Sequence, residues 1–96
     1  MNIDADWIEV SHEEEGWCLY INRAVSKHTF HAMLDFSLSI HICEDRSYQM
    51  IGTFYEVLDE LGLSIDWDNR LKLMEKVGRE ESLVLMQQLT EGEYYE

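Results

Sequence analysis

From Phe30 to Ile42 the even positions are Phe30, Ala32, Leu34, Phe36, Leu38, Ile40 and Ile42; the odd ones are His31, Met33, Asp35, Ser37, Ser39 and His41. Successive side chains on a strand point to opposite faces, so this run lays an apolar row on one side and a mostly polar row on the other. On a helical wheel the same apolar set would scatter around the whole circumference. The chain must therefore contain a sheet with one buried face, and its other elements must cover that face.

The flanking segments fit that demand. Trp7–Ser11 and the strand-forming run Trp17–Val25 are separated by EEEG (13–16), and SKH (26–28) offers a second turn, so a three-stranded antiparallel meander is expected. From Tyr48 the period changes. Met50, Ile51, Phe54, Val57, Leu58 and Leu61 fall on a stripe about 120° wide, as an amphipathic helix requires. Asp45 or Ser47 can cap its start and Gly62 fits just past its end. A second helix is expected from Asp66 or Asp68 to Val77, burying Trp67, Leu71, Met74 and Val77, with Gly78 as its stop. A third, Arg79 to Thr90, presents Leu85, Met86 and Leu89. The fold class is α+β: an N-terminal three-stranded antiparallel meander followed by about three helices packed on one face, in a single domain spanning 1–96.

A chain of 96 residues that is 46% hydrophobic, with three Trp, five Tyr and three Phe, can build a core without staples. The core is expected to take Trp7, Trp17, Trp67, Tyr94 and Tyr95, while Tyr48 and Tyr55 fall at the edge of the first helix's apolar stripe. No run of eighteen apolar residues exists to span a membrane. The opening MNIDADWIEV lacks the basic and apolar regions of a signal peptide, so a cytoplasmic protein is expected, with Cys18 and Cys43 as free buried thiols.

Charge is the outlying quantity. Twenty acids against seven bases give −13, beyond the magnitude of about 2–8 that solubility asks of a small domain. The stretch YEVLDELGLSIDWDN (55–69) carries Glu56, Asp59, Glu60, Asp66 and Asp68 without a lysine or arginine. On the first helix Asp45, Glu56, Asp59 and Glu60 lie opposite the apolar stripe, and Glu56 and Glu60 stand in the unfavourable i,i+4 like-charge relation. Capping explains one of Asp66 and Asp68. Glu13, Glu14 and Glu15 form a second patch. Four of the seven bases, Arg70, Lys72, Lys76 and Arg79, cluster in the expected second helix, as an internal salt-bridge or dimer surface.

Other chemistry is poorly matched. His41 and Cys43 share a strand face and His28 and His31 form another pair, but neither has the spacing of a structural zinc site, so no metal or other cofactor is expected. No phosphate loop, nucleophile elbow or Cys–His signature appears, and no catalytic residue is assigned.

Rows of carboxylates about 5–6 Å apart along a helix approach the charge density of a nucleic-acid strand. In size, acidity and lack of a catalytic motif the chain resembles the small acidic DNA-mimic, anti-restriction proteins encoded by bacteriophages. Those families share no common fold, so the resemblance transfers no residue role. It implies a non-catalytic inhibitor that occupies the DNA-binding cleft of a host restriction or other nucleic-acid-binding protein, in the host cytoplasm. The partner-binding residues expected are Asp45, Glu56, Asp59, Glu60, Asp66 and Asp68, with Glu13, Glu14 and Glu15. The partner would be a basic DNA-binding protein or nuclease; nucleic acid itself would be repelled, and a homodimer would lengthen the charged track. The alternative is an immunity protein or antitoxin that neutralises one cognate nuclease toxin.

Overall fold

The computed structural model describes residues 2–28 and 33–94, with side chains at 2–22 and 38–90. A short 3-10 turn, Ala5–Trp7, leads into β1 (Ile8–Glu13), β2 (Gly16–His28) and β3 (Met33–Glu44). They form one antiparallel sheet in the order β1-β2-β3, the expected meander. Two helices follow, α1 (Ser47–Glu60) and α2 (Trp67–Tyr94). No helix among the described residues is long and apolar enough to cross a membrane.

The alternating row behaves as its period requires. Leu38, Ile40 and Ile42 are buried, and the register sets Ile40 opposite Ile21 and Ile42 opposite Leu19. They share one core with Ile8 of β1, with Met50, Ile51, Phe54 and Leu58 of α1, and with Leu73 and Val77 of α2. Helix α1 lies on β2 and β3, and α2 on β1. The N-terminus is lashed to α2 by polar contacts. Lys76 Nζ donates to the carbonyls of Ala5 at 2.6 Å and Ile8 at 3.0 Å, and Asn69 Oδ1 accepts from the Ala5 N–H at 2.9 Å.

Helix α1 stops as its sequence suggests. Gly62 has φ 70, the Gly62 N–H donates to the Asp59 carbonyl, and the Leu63 N–H donates back to the Leu58 carbonyl at 2.9 Å. This pair of hydrogen bonds is the glycine-terminated helix end, closed by the buried pair Leu58 and Leu63. Its start differs from expectation. The cap position is Arg46, which makes no side-chain capping bond, and Ser47 is the first helical residue, buried and donating to the Glu81 carboxylate of α2.

Four further expectations are corrected. The SKH segment is paired strand, with Ser26 opposite Asp35 and His28 opposite Met33, because alternation continues and lengthens the hairpin. The connection falls at 29–32, outside the described residues, as do His31 and the side chains of Tyr94 and Tyr95. There are two helices rather than three. Gly78 lies inside α2, where a glycine costs only about 1 kcal/mol relative to alanine, and no proline forces a stop. Helix α2 is also turned differently from expectation. Leu73 and Val77 face the core, and this sets Trp67, Leu71 and Met74 outward at 70%, 47% and 50% exposure. Finally, Cys18 and Cys43 are joined by a disulfide rather than free. They stand directly opposite in the β2–β3 register with Cα atoms 4.4 Å apart, a relation that depends on strand register.

Candidate interaction surface

The outer side of α1 is built by the same period that builds its core side. Met50, Phe54 and Leu58 point into the sheet; Glu56, Asp59 and Glu60 are exposed on the opposite side, whereas Asp45, expected in the same row, is exposed but precedes the helix, because Arg46 between them is extended. Gln49 and Gly52 occupy the same side between Asp45 and Glu56, so the row has a gap. At 1.5 Å per residue the helical stretch from Ser47 to Glu56 alone spans about 13 Å, more than the screening length of about 8 Å in physiological salt. The acids therefore form two groups: Glu56, Asp59 and Glu60 at one end of α1, and Asp45 at the other.

Asp45 is joined at its end by the β1–β2 hairpin. Gly16 closes that turn with φ 115 and packs so tightly on β3 that an added Cβ would lie 2.5 Å from the Glu44 carbonyl oxygen. This contact brings Glu13, Glu14 and Glu15, all exposed, next to Glu44 and Asp45. Within the hairpin, Tyr20 donates its hydroxyl proton to Glu13 at 2.5 Å, and this bond, then burial, holds the phenol above its ordinary pKa.

Asp66 and Asp68 divide as capping predicts. Asp66 precedes α2 and accepts from the Asn69 backbone N–H at 2.8 Å, from the Asn69 side chain, and from Asn2 at 2.9 Å. The backbone bond is the main reason its carboxyl is held below the usual aspartate range. It is a helix cap. Asp68 is exposed in the first turn, where the helix dipole favours it.

Among the described residues, three of the five lysine and arginine side chains face neutral groups. Arg46 donates to the Tyr48 hydroxyl at 2.9 Å and lies over its ring. Arg70 donates to the Ile65 carbonyl at 3.0 Å and stacks 4.6 Å above Tyr55, whose hydroxyl pKa is raised by burial and partly offset by that guanidinium. Lys76 is held by two carbonyls. Among the described residues no lysine or arginine nitrogen comes within 4.0 Å of a carboxylate oxygen, and the single acid–base contact is His41 with Glu15. The basic cluster of α2 is thus no internal salt-bridge surface.

Sequence reading missed one constellation. On the sheet face away from the helices, Glu15, Cys18, His41 and Cys43 converge from the hairpin, β2 and β3, with donor atoms all within 4.8 Å of one another. Its legible trace was the pair His41 and Cys43; Cys18 and Glu15 join only through register and the turn. Compared with protein-family models, curated proteins and solved structures, the chain finds no match.

Proposed function

We propose that the protein is a non-catalytic acidic inhibitor that presents a DNA-like negative surface to a basic, nucleic-acid-handling protein of a bacterial cytoplasm, such as a restriction enzyme, and occupies its DNA-binding cleft. The observation that supports this reading most is that, among the described residues, no lysine or arginine pairs with a carboxylate. The acids of α1 and the hairpin stand in solvent, while Arg46, Arg70 and Lys76 are turned to carbonyls and aromatic rings. Neighbouring like charges oppose folding, so a chain that keeps them apart from its own cations retains a strong outward field. That field speeds encounter with a basic cleft and weakens as salt rises. Glu56, Asp59, Glu60 and Asp45 are the principal contacts, Glu13–Glu15 the second patch; Asp68 contributes, and Asp66 acts mainly as a cap.

A homodimer belongs to the same reading. Trp67, Leu71, Met74, Leu85 and Leu89 are exposed along one side of α2. The first part of that helix, to Arg79, carries Arg70, Lys72, Lys76 and Arg79 against Asp68 and Glu75, and the rest carries Glu80, Glu81, Glu91 and Glu93 with no lysine or arginine. Antiparallel pairing of two copies sets unlike halves side by side; sedimentation across protein concentrations reads it.

The test is competition. A panel of unrelated restriction endonucleases is bound to a fluorescent DNA duplex, and the protein is added at low and at high salt. Release of duplex from several of them at low salt, lost at high salt and lost in the triple variant Glu56→Lys, Asp59→Lys, Glu60→Lys, is the expected result. No release from any member, or release unchanged by the triple reversal, overturns the reading. Nanomolar binding to one nuclease toxin alone favours the immunity-protein alternative.

A further inference from the structure

We propose that Glu15, Cys18, His41 and Cys43 form, when the Cys18–Cys43 disulfide is reduced, a closed four-ligand site for zinc(II). The donors come from three segments held in fixed register. His41 and Cys43 are two apart on β3 and so share a face, Cys18 stands opposite Cys43 on β2, and the hairpin turn carries Glu15 over them.

The distances suit a tetrahedron. Zinc bonds of about 2.0–2.3 Å to nitrogen, oxygen and sulfur imply donor–donor edges of about 3.3–3.8 Å. His41 Nε2 lies 3.0 Å from Cys43 Sγ, Cys43 Sγ lies 3.5 Å from Glu15 Oε2, and His41 Nε2 lies 4.0 Å from Glu15 Oε2. Three edges are near their final lengths in the oxidised chain; the two sulfurs must part, and Cys18 Sγ, within 4.8 Å of the His41 and Glu15 donors, must draw closer to them. Side-chain rotation can do this without moving the strands, because Glu15 and His41 are exposed at 70% and 48% and can follow.

The surroundings favour a cation. Glu13 and Glu14 flank the site and raise the local concentration of divalent ions. The Tyr20 ring stacks on His41 with centroids 4.7 Å apart and planes at 18°, and Tyr20 is itself bonded to Glu13, so the imidazole is oriented by a neighbouring shell. Two soft sulfurs with one imidazole and one carboxylate select zinc over magnesium or calcium, which take oxygen donors. Four protein ligands leave no open position, so the role is structural.

The chemistry balances. A dithiol reductant gives two electrons and two protons to the Cys18–Cys43 bond, yielding two thiols and becoming a disulfide itself. Zinc(II) then displaces both thiol protons and takes the lone pair of neutral His41 Nε2 and the Glu15 carboxylate. The two charges gained equal the two protons lost, so the net charge is unchanged, and the zinc site does not rest on the inhibitor reading.

The full-length protein is titrated with zinc(II) against a chromophoric chelator, once oxidised and once after dithiol reduction, and with cobalt(II) as an optical probe. One equivalent bound by the reduced chain, none by the oxidised, and tetrahedral cobalt absorption with a thiolate charge-transfer band are expected. Glu15→Gln and His41→Gln change exposed side chains, so the fold is retained while zinc affinity falls at least about 100-fold, since even second-shell partners of a metal site are worth about 10–100-fold. A reduced chain that binds no equivalent of zinc overturns the proposal, as do Glu15→Gln and His41→Gln variants that bind as tightly as the parent. Reduced protein that loses its circular dichroism and regains it with zinc supports the site; loss that zinc does not restore counts against it.

Discussion

Replacing Gly16 with alanine tests the joint between the acidic hairpin and the rest of the molecule. Two costs can be read from the geometry. Gly16 has φ 115, well outside the left-handed region that other residues visit, and holding alanine there costs about 1–3 kcal/mol. The new Cβ would also meet the Glu44 carbonyl oxygen at 2.5 Å, and the obstacle is backbone rather than a side chain that can swing away. Relieving it means parting β2 from β3 where Trp17 faces Glu44, at the expense of about one hydrogen bond, or roughly 1 kcal/mol. The sum is about 2–4 kcal/mol. At roughly 0.05–0.15 kcal/mol per residue the whole domain holds only about 5–14 kcal/mol, so the loss is a large share. For a domain of this size the melting temperature should fall by about 8–30 °C. Thermal and urea unfolding followed by far-ultraviolet circular dichroism read the change. Gly52→Ala is the matched control: it is exposed in mid-α1 with nothing within 4 Å of an added Cβ, and should stabilise by about 0.5–1 kcal/mol. A Gly16→Ala protein within about 0.5 kcal/mol of the parent would refute the close approach of hairpin and β3, and with it the joining of Glu13–Glu15 to Asp45.

Gly78→Ala separates one continuous α2 from two helices meeting at a glycine stop: a helical Gly78 with open space at its Cβ predicts a gain of about 0.5–1 kcal/mol in urea titrations of dilute protein, whereas a left-handed stop predicts a loss. Asp66→Asn keeps a capping oxygen and removes the charge. Because the folded carboxyl is held below its ordinary pKa, its contribution is present above the unfolded value, near 3.9, and disappears as pH falls through the folded value. The parent should therefore exceed the variant in stability at neutral pH, and the gap should close on acidification; a gap independent of pH refutes the assignment.

Much of this molecule is legible without coordinates where information is local. Alternation at Leu38, Ile40 and Ile42 identifies a half-buried strand because pleating enforces a period of two. The stripe Met50–Phe54–Leu58 identifies α1 and at once assigns Glu56, Asp59 and Glu60 to the solvent side, since one helical period governs both faces. Gly62 is readable as an end because the end itself demands a positive φ. Gly78 shows the limit. Glycine permits a stop without requiring one, and burial of Leu73 and Val77 before it, with Val84 packed against the same core after it, carried the helix through.

What tertiary structure alone decided concerns pairs distant in sequence. Helix α2 has apolar residues on more than one side, and only its docking on β1 chose Leu73 and Val77 for the core and left Trp67 in solvent. The register between β2 and β3 set Cys18 against Cys43 and gathered His41 and Glu15 beside them. The carbonyls of Ala5 and Ile8 drew in Lys76, a cation that composition alone would assign to a carboxylate. Side-chain periodicity is a property of one segment and can be read along it. Register, docking angle and the choice of a cation's partner minimise the energy of two or more segments together, and no single segment contains that answer.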